Sequence, residues 1–78
     1  MKSKIIFLNG ESILVQQGDC IRSIDASGFT LEEKQLLHHH DGLSVGIAVA
    51  ISHGKFFSIE NGKIYNSSAV FSIEDLSD

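Results

Sequence analysis

The chain lacks proline, has a single cysteine, and carries no run of lysine or arginine and no apolar stretch long enough to span a bilayer. With no proline-rich linker, low-complexity run or long internal repeat, its 78 residues are expected to form one compact unit, residues 1–78. A chain of this size buries only roughly 60% of the surface that it exposes when unfolded. One cysteine excludes an intramolecular disulfide. Small secreted domains usually rest on several, so a cytoplasmic setting and a small, buried Cys20 thiol are expected. The opening Met-Lys-Ser-Lys-Ile-Ile-Phe-Leu has only four apolar residues before Asn9-Gly10, too few for a signal-peptide core or a membrane span, so no membrane partner is expected. Ten acidic against six basic side chains, net −4, leave no basic stripe to neutralise phosphates and argue against direct nucleic-acid binding.

What the chain does have is an ordinary globular composition, 42% apolar and 21% charged. It also has three turn signals between apolar or alternating runs: Asn9-Gly10, His53-Gly54 and Asn61-Gly62. Asn-Gly suits a two-residue hairpin turn because both residues tolerate positive φ. A tip at Asn9-Gly10 predicts a hairpin over residues 3–16 with Leu8 opposite Glu11 and Ile5 opposite Leu14. Ile5, Phe7 and Leu14 then share one face, and Ile6, Leu8, Ile13 and Val15 the other. A third short strand fits residues 20–24.

Thr30 followed three residues later by Glu33 forms a capping box, which predicts a helix over residues 31–40 stopped by Gly42. Leu43–Ser52, LSVGIAVAIS, alternates large and small side chains and predicts a strand with Leu43, Val45, Ile47, Val49 and Ile51 toward a core. Residues 55–60 and 63–73 complete a meander with Glu60 opposite Lys63, a parity break at Asn66-Ser67-Ser68 and a frayed acidic tail over residues 74–78. The fold class expected is α+β: an N-terminal β-hairpin, one short helix and a three-stranded antiparallel meander in one curved sheet.

Three adjacent histidines, His38, His39 and His40, precede Asp41. On a helix they would fan over about 200°, so they cannot all grip one ion. A helix-terminus role fits better, since dipolar or cationic groups there meet free carbonyls. His38, His39 and Asp41 are candidate contact residues. A metal-binding or catalytic use of the cluster, completed by Asp41 or His53 across the fold, is the alternative. Gly42-Leu43-Ser44-Val45-Gly46 matches the letters of a nucleophile elbow, but a helix before it and a strand after it is the wrong order for that motif. No acid/base pair, phosphate loop or cofactor motif is found, so a non-enzymatic protein without cofactor is expected.

The apolar residues left over on two-faced strands, Ile6, Ile13, Val15 and Phe56, are candidate binding residues for a larger protein or protein complex. Small size and mild acidity point to a protein-binding module of the inhibitor or immunity type. A phage protein acting on a host complex belongs to that class, by analogy of size and charge alone. Homodimerisation through residues 5–15, or through an exposed edge strand, would use the same features.

Overall fold

In the computed structural model, residues 1–37, 42–60 and 62–76 are described. Strands β1 (Lys2–Phe7) and β2 (Ser12–Gln16) form one hairpin, and β3 (Cys20–Ile24) and β4 (Thr30–Gln35) a second. Helix α1 (Leu43–Ser52) is followed by β5 (Phe56–Ser58), β6 (Ile64–Asn66), a 3-10 turn (Ser67–Ala69) and β7 (Val70–Leu76). The strands make two antiparallel sheets, ordered β2-β1-β7 and β4-β3-β5-β6, and α1 packs on strands of both. The fold is α+β with the expected N-terminal hairpin, but its strands form two sheets rather than one curved sheet, and among the described residues the one helix is Leu43–Ser52, not residues 31–40. Among the described residues no helix is long and apolar enough to cross a membrane.

The first hairpin differs from expectation by one residue. Phe7 N–H donates to the Glu11 carbonyl at 2.8 Å and Gly10 N–H to the Phe7 carbonyl at 3.0 Å, so the loop is Leu8-Asn9-Gly10 rather than Asn9-Gly10 alone. Gly10 takes φ +90°, the left-handed position that closes a three-residue hairpin loop. The register becomes Ile5 opposite Ile13 and Ser3 opposite Val15. A one-residue slip exchanges the faces of a strand. Val15, expected on the outer face, is therefore fully buried beside Ile5, and Ile13 packs on the same core. Leu14, expected on the face of Ile5 and Phe7, is 54% exposed. The same loop bonding recurs in the second hairpin, where Asp25 N–H reaches the Phe29 carbonyl and Gly28 N–H the Asp25 carbonyl.

Helix and strand are exchanged in the middle of the chain. Thr30–Gln35 is not a capped helix but an extended strand, all six residues exposed, and Leu43–Ser52 is the helix. A helix from Leu31 onward would have offered few apolar residues to bury, and burial of an apolar face is what stabilises a short helix. Paired to β3 through the Asp25–Phe29 loop, the same residues satisfy their backbone instead. In Leu43–Ser52 the buried residues are Leu43, Ile47, Ala50 and Ile51, a helical i, i+4, i+7, i+8 spacing. Val45 and Val49, expected in the core on a strand, are 38% and 44% exposed.

The C-terminal meander is likewise split between the sheets. β5 pairs β6 with Phe57 opposite Tyr65 and Ser58 opposite Ile64, again one residue from the expected register. The break at Asn66-Ser67-Ser68 is present: the Asn66 side chain accepts from Ser68 N–H at 3.0 Å and opens the 3-10 turn. Beyond it the chain leaves the second sheet, and β7 pairs with β1 in the first. Glu74, Asp75 and Leu76 are not a frayed tail; they extend β7 opposite Lys4, Ser3 and Lys2.

Helix α1 carries no acidic residue in its first turn and no basic residue in its last, and the sheets supply its end partners. At the N-terminus Asp75 accepts from Ser44 N–H at 2.9 Å, from Ser44 Oγ at 2.7 Å and from the buried Ser3 Oγ at 2.6 Å. At the other end the buried Ser23 Oγ donates to the Ala50 carbonyl at 2.7 Å. Ser3 and Ser23 are the buried polar residues of the described chain, and each serves one end of the helix.

Candidate binding groove

Three aromatic rings meet where the two sheets approach each other. Phe7 of β1 lies 5.1 Å from Tyr65 of β6, centroid to centroid, and Tyr65 lies 5.4 Å from Phe57 of β5. Ring planes are inclined by 21° and 28°, an offset stack of the kind aromatic quadrupoles favour. Phe57 is fully buried and Phe7 nearly so, whereas Tyr65 is half-buried at the mouth.

Above this stack opens a groove of about 350 Å³, lined by Phe7, Leu8, Asn9, Glu11, Ile64, Tyr65, Asn66 and Ala69. Leu8 and Ile64, 67% and 66% exposed, both line it, Leu8 from the loop of the first-sheet hairpin and Ile64 from β6 of the second sheet. The Asn9 and Asn66 side-chain oxygens are engaged in their own turns, accepting from Glu11 N–H and from Ser68. Phe7, Leu8, Ile64, Tyr65 and Ala69 make the lining mostly apolar, and Glu11 is the acidic residue in it. Such a site suits an apolar side chain of a ligand with a cationic group beside it.

Of the candidate contact residues that are described, Ile6, Ile13, Val15 and Phe56, none lines this groove. Ile6 is half-buried on the outer face of the first sheet, Ile13 is half-buried against the core, Val15 is inside it, and Phe56 is half-buried on β5 between Ile24 and Asn66. Val15 is thus corrected from a contact residue to a core residue. His38, His39 and Asp41 lie outside the described residues. The groove residues escape a sequence reading because the expected hairpin register is displaced by one. The pairing of a large apolar residue with each Asn-Gly turn, Leu8 before one and Ile64 shortly after the other, is the available signal.

A second, more polar recess of about 190 Å³ lies among Cys20, Arg22, Glu33, Ser58, Ile59 and Glu60. Partial burial and then the neighbouring Glu60, Glu33 and Asp19 charges push the Cys20 thiol above its usual range. That disfavours the thiolate, the nucleophilic form. His53 Nδ1 sits 3.7 Å from a Glu32 oxygen, both side chains about half exposed. Among the described residues no group of three His, Cys, Asp or Glu side chains is placed to hold a metal ion.

No family model matches the chain, and neither a curated protein nor a solved structure matches it.

Proposed function

We propose that this protein is a small, non-enzymatic, cytoplasmic binding module that docks on a larger protein through the groove over Phe7 and Tyr65. The observation that carries the reading is the pair of exposed aliphatic side chains, Leu8 and Ile64, in the mostly apolar lining of this groove, in a chain too small to spare apolar surface. The residue that enters would be aliphatic or aromatic and would belong to a basic surface, complementing Glu11 and the net charge of −4. Occupying another protein's surface without chemistry of its own is the action of an inhibitor or an immunity-type accessory.

The test is a comparative capture from lysate of the native host with the full chain and with Leu8→Lys and Ile64→Lys variants. A protein retained by the parent chain and lost from both variants, with unchanged far-ultraviolet circular dichroism, supports the reading. Retention of the same proteins by all three chains overturns it.

A further inference from the structure

Strand β4 pairs with β3 along one edge, and among the described residues no strand covers the other. Leu36 N–H donates to the Asp19 carbonyl at 2.8 Å, which sets the alternation of the ladder. Glu32, Lys34 and Leu36 turn their backbone groups toward β3, and Glu33 and Gln35 turn theirs to the free edge; a bulge opposite Ser23–Ile24 ends this alternation at Leu31. An uncovered edge of this kind is a template for another strand. We propose that a second copy of this chain supplies it, β4 pairing with β4 in an antiparallel register centred on Glu33.

The register follows from the charge order Glu32-Glu33-Lys34 in β4. Two identical antiparallel strands in one sheet are related by a two-fold axis perpendicular to it, so the residue on the axis faces its own copy. With Glu33 on the axis, Glu32 of each chain faces Lys34 of the other, giving two opposite-charge pairs. Moving the axis to Glu32 or to Lys34 sets like charges face to face on that face. On the opposite face Glu33 meets its copy, but each carboxylate lies directly across from Arg22 of its own β3, so the row alternates cation, two carboxylates, cation. The two four-stranded sheets then join into one continuous sheet. β4 does not line the groove, so this association and the groove's partner stand or fall separately.

Sedimentation velocity of the full chain from micromolar to millimolar concentration should show a monomer–dimer equilibrium. Glu32→Lys and Lys34→Glu, each replacing attraction by repulsion at two symmetry-related pairs, should each weaken the dimer at least about tenfold. An equimolar mixture of the two variants should recover dimer, because both lysines of the first variant then face glutamates of the second across the interface. Circular dichroism checks that these exposed substitutions leave the fold in place. A monomer at every concentration overturns the proposal, as does a dimer that either single variant leaves unchanged, or a mixture no more associated than its components. Leu8→Lys should dimerise like the parent.

Discussion

At Gly54 the chain passes so close to β3 that a side chain has no room. A Cβ there would lie 2.6 Å from the Ile24 carbonyl oxygen and 2.9 Å from its nitrogen, both backbone atoms that cannot step aside. Gly54→Ala should therefore cost about 2 kcal/mol or more, as overpacking typically does. Gly46 is the contrasting case. A Cβ there meets only the end of Leu36 at 3.6 Å, ordinary contact, inside a helix where alanine is preferred over glycine. Gly46→Ala should stabilise the protein, by up to about 1 kcal/mol. Chemical denaturation of the two variants beside the parent checks both, and an equal effect of the same sign would sink the distinction. Neither outcome is visible in the sequence, where both glycines are simply small. His53-Gly54 is recognisable there as a turn, but the reason for its glycine lies thirty residues earlier in the chain.

The exchange of helix and strand shows how two patterns can coexist in one segment. LSVGIAVAIS satisfies period two through Leu43, Val45, Ile47, Val49 and Ile51, and it satisfies a helical period through Leu43, Ile47, Ala50 and Ile51. The two sets share Leu43, Ile47 and Ile51, so periodicity does not separate them. Val49 does. On a core-facing strand Val49→Ala would cost a few kcal/mol; on the solvent side of α1, where Val49 is 44% exposed, it should change stability by less than about 0.5 kcal/mol. Ile47→Ala, which empties a fully buried position, should cost about 2 to 5 kcal/mol. Equal losses in the two denaturation midpoints would restore the strand. The capping box at Thr30–Glu33 misleads for a related reason. Its residues can cap a helix, but here nothing apolar is stacked on the helical face they would open, and a ready partner, β3, lies across a short loop.

Across the whole molecule, Asp75 joins three elements: its strand β7, the neighbouring β1 through Ser3, and the N-terminus of α1 through Ser44. The Ser3 hydroxyl does most to hold its carboxyl below the usual carboxylate range; partial burial opposes, and the Ser44 and Leu43 contacts add to the lowering. An acid with a depressed folded-state pKa binds fewer protons folded than unfolded just above that pKa. Its stabilisation is complete above the unfolded value near about 4 and is lost as pH falls through the folded value. Asp75→Asn should therefore flatten the fall in thermal midpoint between about pH 5 and 2. Asp75→Ala should cost about 1 to 2 kcal/mol at neutral pH, by stranding the Ser3 hydroxyl and the first helical N–H groups. A parent and Asp75→Asn with parallel pH profiles would remove the carboxylate from this role. In the sequence Asp75 is one of several tail acids, and only the pairing of β7 with β1 brings it to the helix.

The amino-acid sequence by itself determined the class: an α+β chain with an N-terminal hairpin turning at Asn9-Gly10, a turn at His53-Gly54 and a break near Asn66. Each follows from local chemistry, such as positive φ at Gly10, side-chain capping of a turn by Asn66, or the supply of apolar residues. The tertiary structure alone decided which segment became the helix, which face of each hairpin turned inward, and which sheet received the last strand. Those choices depend on contacts between residues far apart in the chain. A one-residue difference in loop closure moved Val15 into the core and Leu14 out of it, and it left Leu8 beside the groove rather than within the sheet.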